Sequence, residues 1–119
     1  MKKKPLNGVK YDNGKARWDL LDWGFLDGIA EVLSFGARKY DDDNWKKLDN
    51  IRSRYIAACG RHVKDYWLCI KSEGKEGSIY DDESGLHHLL HAGCCLMFVF
   101  WYDRMNPLRF FTRRGKNEK

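Results

Sequence analysis

Three of the chain's four histidines fall within five residues, as His87-His88-Leu89-Leu90-His91, and three acids, Asp81-Asp82-Glu83, stand just ahead of them. Imidazoles and carboxylates hold divalent cations and move protons near neutral pH. A helix begun at residues 81–84 would set Glu83, His87 and His91 on one ridge, with His88 and His91 as neighbours on the adjoining face. The expectation is a site at the head of a helix, whose first turn also attracts anions through its free N–H groups. Downstream, residues 92–102 leave no polar face, so this helix is expected to be covered on all sides by its own fold or by a partner subunit.

Two further helices must position these groups. The first is expected from Asp19 or Asp22 to about Ala37, because Leu21, Phe25, Ile29 and Leu33 repeat every four residues; Gly36 marks its end. Glu31 lies off that stripe, either as a solvated surface acid or as a ligand. The second helix runs from Ile51 to Ile70, with Tyr55, Ala58, Cys59, His62, Val63, Tyr66 and Trp67 on one apolar stripe. His62 is thus either a satisfied core imidazole or a site residue, and Arg54 and Arg61 share another face where they could meet phosphate.

The connecting segments carry candidates of their own. In the polar arm before Trp18, a turn is expected at Asp12-Asn13-Gly14, and Lys15 and Arg17 belong either to a solvated tail or to a strap that reaches a phosphate. The loop after the first helix holds three aspartates, without the glycine and closing glutamate of a calcium loop. Tyr40, Asn44 and Trp45 flank them. They could stack on a base and read its edge, or pack on a helix. Residues 71–78 form a charged, glycine-bearing loop.

Length and composition bound the class. A chain of 119 residues makes one domain, 1–119, small enough that a sibling subunit would help bury an all-apolar helix, so a homo-oligomer is expected. The formal charge is +5, yet without residues 1–4 and 109–119 the chain carries 14 bases against 16 acids, a net of −2. Basicity confined to the tails argues against a nucleic-acid partner. The four cysteines lack CxxC spacing and read as reduced core thiols of a cytosolic protein. The apolar run of about 11 residues is too short to cross a membrane, and no signal peptide is visible. The fold expected is a small all-α bundle of three or four helices, with inward-facing Glu31, Arg61, His62, Asp81, Glu83, His88 and His91 as the site inventory.

Four ordered stretches carry a resemblance. Tyr11-Asp12-Asn13-Gly14-Lys15-Ala16-Arg17-Trp18-Asp19-Leu20-Leu21, then Phe35-Gly36-Ala37-Arg38-Lys39-Tyr40 with Asn44-Trp45, then Ala58-Cys59-Gly60-Arg61-His62, then residues 81–92 are similar to the phage dATP/dGTP diphosphohydrolase family, MazZ-type relatives of the all-α MazG pyrophosphohydrolases. The likeness spans roughly residues 10–100. It implies a MazG-like, Mg²⁺- or Mn²⁺-dependent enzyme of host-cell cytoplasm that cuts a purine deoxynucleoside triphosphate between the α and β phosphates. In that scheme Glu31, Glu83, His88 and His91 hold the metal, and His62 or Asp81 orients the water or a ligand histidine. Lys15, Arg17, Lys39 and Arg61 meet phosphate, and Tyr40, Asn44 and Trp45 meet base or sugar.

The chain departs from the ExxE and ExxD pairs of MazG proteins, because Ser34 follows Glu31 and Leu86 follows Glu83 at three residues' distance. Histidines must then fill the gap, which brings Mn²⁺ forward beside Mg²⁺. Glu83 and His91 are expected to share an ion, with His87 dispensable. Two rivals stand beside this reading: a non-catalytic nucleotide-sequestering protein, and a nucleic-acid binder working through residues 2–4 and 109–119.

Overall fold

The computed structural model describes residues 6–108, which form three α-helices and two short 3-10 turns. No strand occurs among the described residues; a single antiparallel bridge joins Tyr80 to His87. Helix α1 spans Trp23–Lys39, α2 Ile51–Lys71 and α3 His88–Met105. The all-α expectation holds.

Helix α3 is the axis of the fold. Its apolar sequence gives it two buried faces, one against α1 and one against α2, while α1 and α2 scarcely touch each other. The α1 contact is close because it is made at glycines. A Cβ on Gly28 would fall 2.4 Å from a Leu90 methyl, and one on Gly93 would fall 2.6 Å from the Phe25 ring. Both helices therefore use the missing side chain to approach. Val32, Cys94 and Phe98 lie at the centre, with Ile29, Leu33, Tyr55, Leu86 and Leu90 around them.

Aromatic packing closes the end of α3 remote from the histidines. The 3-10 turn Asn44–Lys47 inserts Trp45, whose ring stacks on Phe98 at 4.2 Å and meets Trp101 edge-on at 5.0 Å. Tyr55 reaches Phe98 from α2 at 4.8 Å. Nearby, Arg52 Nε donates to Asp103 at 2.6 Å across the α2–α3 seam and lies over the Tyr102 ring.

Several boundaries differ from expectation. Helix α1 runs through Gly36, whose carbonyl accepts from Tyr40 N–H in the last turn, so this glycine does not end the helix. The apolar stripe read along α2 is two faces. Ile51, Tyr55, His62, Tyr66 and Cys69 turn inward, whereas Ile56, Val63, Trp67 and Ile70 remain between 44% and 54% exposed. Within one chain α3 leaves Leu96, Met97 and Phe100 exposed, so its own fold does not supply the whole of the expected cover. The turn at residues 12–15 is present, with Gly14 at φ +82°.

All four cysteines are free. Burial pushes the Cys94 thiol up to about 12 and the Cys95 thiol up to about 11, so both stay protonated and unreactive. No helix among the described residues is long and apolar enough to cross a membrane. The basic tails, residues 2–4 and 109–119, lie outside the described residues.

Candidate cation and nucleotide site

The principal correction concerns residues 81–87, which are a folded loop and not the first turns of α3. Gly85 takes φ +74°, a left-handed conformation that breaks a helix and suits glycine. Gly85 N–H donates to Asp81 O, Asp81 N–H to Leu86 O and His88 N–H to Ile79 O, each at 2.8 Å. Asp81 organises the turn through Oδ2, which accepts from Glu83 N–H at 3.1 Å and Ser84 N–H at 2.9 Å. Helix α3 then begins at His88, capped by His87 Nδ1, which accepts from Leu89 N–H at 3.0 Å. The ridge of Glu83, His87 and His91 therefore does not form.

What forms instead draws on three elements. His62 from the buried face of α2, Asp81 from the loop and His88 from the first turn of α3 converge, with one ligating atom of each within 4.8 Å of the others. His62 Nδ1 and His88 Nδ1 lie 2.9 Å apart. His91, one turn further along α3, stacks on His62 with ring centroids 4.6 Å apart and planes 10° from parallel. Its Nε2 is 2.7 Å from Ser84 Oγ and 4.0 Å from Asp81 Oδ2.

The electrostatics favour a cation. Burial, together with the neighbouring imidazoles, lowers the His62 pKa below its ordinary value against the pull of Asp81 and Asp65. His91 is lowered chiefly by burial, with His88 adding and Asp81 opposing. Both rings are accordingly neutral at pH 7, the form in which a histidine ligates. Burial works to raise Asp81, but the hydrogen bonds from Ser84 and the nearby imidazoles outweigh it and hold the carboxyl below its usual range. The imidazoles of His62 and His88 with the Asp81 carboxylate make a donor set that fits a divalent metal ion.

Two of the expected ligands, Glu31 and Glu83, stand apart from this cluster. Glu83 is exposed and paired with Lys39, its Oε2 2.7 Å from Lys39 Nζ. Glu31 is exposed on α1 and has no ionic partner among the described residues. His87, besides capping α3, packs between Tyr66 and Tyr80.

A cavity of about 670 Å³ is lined by His91, the ring that stacks on His62 of the cluster. Lys39, Tyr40, Asn44, Trp45 and Arg54 all line it, so the three candidates for base contact do converge, together with one of the expected phosphate contacts. Trp45 is already committed to Phe98 and Trp101, which makes it a wall and not a free stacking surface. Arg61 lies outside this cavity, in an open hollow that borders it through Tyr40, Leu48, Arg54 and Tyr55. Lys15 is exposed on the N-terminal arm, and Arg17 is paired with Asp19 at 2.6 Å. A second, smaller cavity of about 330 Å³ opens on the other side of Asp81 and His88 and is lined by Asp65, Glu76 and Asp82. Its acidity makes it a poor seat for phosphate.

Ser84, which fixes His91, is not in the site inventory read from the sequence, whereas Arg54, which lines the cavity, is read there as a possible phosphate contact. The Ser84-Gly85 pair was the available signal, because a glycine behind Asp81-Asp82-Glu83-Ser84 favours a turn over a helix start.

Fold and site together define a small helical protein with a histidine–carboxylate cluster near a cavity of about 670 Å³. The family described as "dATP/dGTP diphosphohydrolase, N-terminal" matches residues 6–109, and the chain belongs to it. A "dATP/dGTP diphosphohydrolase" of Salmonella phage PMBT28 is 38% identical over 102 residues, which cover 86% of this chain and 32% of that protein. The chain thus spans about a third of the length of that relative. No solved structure matches the chain.

Proposed function

We propose that this chain hydrolyses a purine deoxynucleoside triphosphate, dATP or dGTP, to the monophosphate and pyrophosphate, in the nucleotide metabolism of a phage and in the host cytoplasm. One observation carries the reading: His91, which stacks on His62 of the His62, Asp81 and His88 cluster, also lines the adjoining cavity. Its volume of about 670 Å³ lies within the range of small-ligand sites. Family membership supports the same chemistry.

In this proposal His62, Asp81 and His88 hold a divalent cation, Mg²⁺ or Mn²⁺ in the family's scheme. When bound, such an ion neutralises phosphate charge and lowers the pKa of a coordinated water. The chain's own residues do the rest. Asn44 offers both a donor and an acceptor to a purine edge, and Tyr40, which lines the same cavity, offers a ring. Lys39 and Arg54 face the phosphates. The Lys39–Glu83 pair is exposed and of little intrinsic strength, so Lys39 can exchange Glu83 for a phosphate oxygen. His91 borders both cavity and cluster, is neutral at pH 7, and is braced by Ser84. It is the side chain placed to accept a proton from the attacking water.

A second copy of the chain completes the fold in this reading. The apolar stripe of α2, with Ile56, Val63, Trp67 and Ile70, and the exposed Leu96, Met97 and Phe100 of α3 are uncovered within one subunit. Such surface marks an association site.

The test incubates the pure full chain with each nucleoside triphosphate and Mg²⁺ or Mn²⁺ and identifies the products. The expected result is pyrophosphate from dATP or dGTP, abolished by chelation. Stepwise release of orthophosphate, or turnover in excess chelator, would overturn the proposal. Tight binding without turnover would replace it with a sequestering protein.

A further inference from the structure

Every residue from 6 to 25 is exposed, among them Leu6, Val9, Tyr11, Trp18, Leu20 and Trp23; Tyr11 keeps 85% of its surface in solvent and Leu20 71%. A solvated tail is poor in such aromatic and aliphatic side chains, which mark a surface made to be covered. The arm nevertheless has local order. Lys15 N–H donates to Asp12 O at 3.2 Å, Arg17 pairs with Asp19, and Trp18–Leu20 form a 3-10 turn whose tryptophan meets Trp23 at 6.2 Å. That turn buries none of its own residues.

The large cavity lacks what the arm carries. Two bases, Lys39 and Arg54, line it against three aspartates, Asp41, Asp42 and Asp43. Each base already holds a carboxylate, Lys39 that of Glu83 at 2.7 Å and Arg54 that of Asp49 at 2.8 Å. A lining with more acid than base seats a triphosphate poorly unless further cations reach it. On the arm, Lys10 and Lys15 have no ionic partner among the described residues. Leu33, Phe35 and Leu48 on the cavity wall offer apolar surface to the arm's aromatic residues.

The arm cannot serve its own cavity without losing its local shape. Lys39 stands 16 residues beyond Trp23 at the far end of α1, about 24 Å away at 1.5 Å per residue. Lys15 precedes Trp23 by eight residues. With Trp18–Leu20 at a rise of about 2.0 Å and the other steps fully extended at about 3.4 Å, it reaches about 23 Å at most. Only an arm pulled straight back along α1 would draw level with Lys39, with no slack left for its apolar side chains to settle. A second copy is under no such constraint.

We infer that the arm of one copy lies across the cavity of a second and brings Lys15 to the phosphates of the nucleotide held there, so that each site is built from two chains. In a two-fold dimer the exchange is reciprocal and gives two identical sites. In the empty cavity the same lysine faces Asp41, Asp42 and Asp43. The inference rests on the proposed function's placement of phosphate beside Lys39 and Arg54, and it adds the partner that completes the site.

Carbodiimide coupling, which joins a lysine amine directly to a carboxylate in contact with it, tests the arrangement without turnover. Full chain grown in light and in heavy nitrogen is mixed in equal amounts, with native mass spectrometry following the mixed oligomers, and is then coupled without nucleotide and digested. The expected product joins Lys15 to the segment holding Asp41, Asp42 and Asp43, and about half of it pairs a light with a heavy peptide. Absence of mixed oligomers, products of a single label, or no such product would overturn the inference whatever the turnover.

Complementation tests the shared site in action. Lys15→Ala should lower turnover about tenfold and Asp81→Asn at least ~100-fold. An equal mixture of the two should recover about a quarter of the unaltered activity, because in half of the dimers one site draws an intact arm and an intact cluster from different chains. If each arm served its own cavity, the mixture would show only about a twentieth, the mean of the two variants, and the inference would fall. Light–heavy coupling in a chain that turns over no nucleoside triphosphate would keep the shared cavity and overturn the proposed function instead.

Discussion

Gly60→Ala should stabilise the isolated subunit and weaken its association, two effects of opposite sign from one methyl group. Gly60 is the tenth of the 21 residues of α2, and a Cβ there would meet nothing within 4 Å. A glycine in a helix interior is about 1 kcal/mol less favourable than alanine. Within one subunit, therefore, the substitution should raise stability by about 1 kcal/mol and the melting temperature by about 4 °C. Nothing among the described residues explains why α2 carries this weakness.

Its position on the helix suggests a reason. At 100° per residue Gly60 falls in the exposed stripe of Ile56, Val63, Trp67 and Ile70. If a second copy packs there, the glycine lets two helix backbones approach, and a methyl at that point overpacks the seam by about 1–3 kcal/mol. A two-fold interface contains the site twice. Even the low end, about 2 kcal/mol for the pair, raises the dissociation constant roughly thirtyfold. Sedimentation equilibrium over a concentration series measures the association, and urea denaturation at concentrations where both proteins are monomeric measures the intrinsic term. A Gly60→Ala protein about 1 kcal/mol more stable, whose dissociation constant matches that of the unaltered chain, would refute the α2 stripe as the subunit interface.

Three other outcomes are expected. Asp81→Asn keeps an oxygen that can accept from Glu83 and Ser84 but removes the charge, so it should cost about 1 kcal/mol of stability while lowering turnover at least ~100-fold; Glu31→Gln and Glu83→Gln should retain ion binding, and calorimetry on the three variants decides between these placements. Trp45→Ala should cost about 3 kcal/mol, because the ring packs on Phe98 and Trp101, whereas Trp45→Phe should recover most of that stability in urea denaturation together with nucleotide affinity; a stable Trp45→Ala protein that has lost only affinity would restore this residue to base contact. In metal-free protein, His62 and His91 have folded-state pKa values below the unfolded value of about 6.5. The unfolded chain then binds more protons as pH falls, so their contribution is complete above about pH 6.5 and is lost as pH drops through that value toward the folded pKa; urea midpoints that do not decline between pH 7 and pH 5.5, or decline equally in a His62→Gln, His91→Gln double variant, would contradict this.

Much of the architecture follows from periodicity that any reader of the chain can see. The apolar positions of α1 and α2, the unbroken oiliness of α3 and the glycine-rich joints are local properties, and local properties select helices and their approximate limits. The proximity of His88, His91 and Asp81 could be read too, because they lie close together in the chain. Tyr40, Asn44 and Trp45 were likewise recognisable as a group, since a short loop cannot scatter its side chains far.

Two matters lay beyond that reach. Whether residues 81–87 extend α3 or fold back upon themselves depends on the left-handed Gly85 and on hydrogen bonds that Asp81 can make only once the loop has closed. That choice took Glu83 from the cluster to Lys39 and moved Asp81 into it. The partnership of His62 with His88 spans 26 residues and exists only because α2 packs against α3 with those two positions facing. Helical period shows which side of a helix a residue occupies but not which neighbour that side will meet. Side chains on separate helices meet through the close packing of the helices that carry them, and that packing belongs to the whole fold.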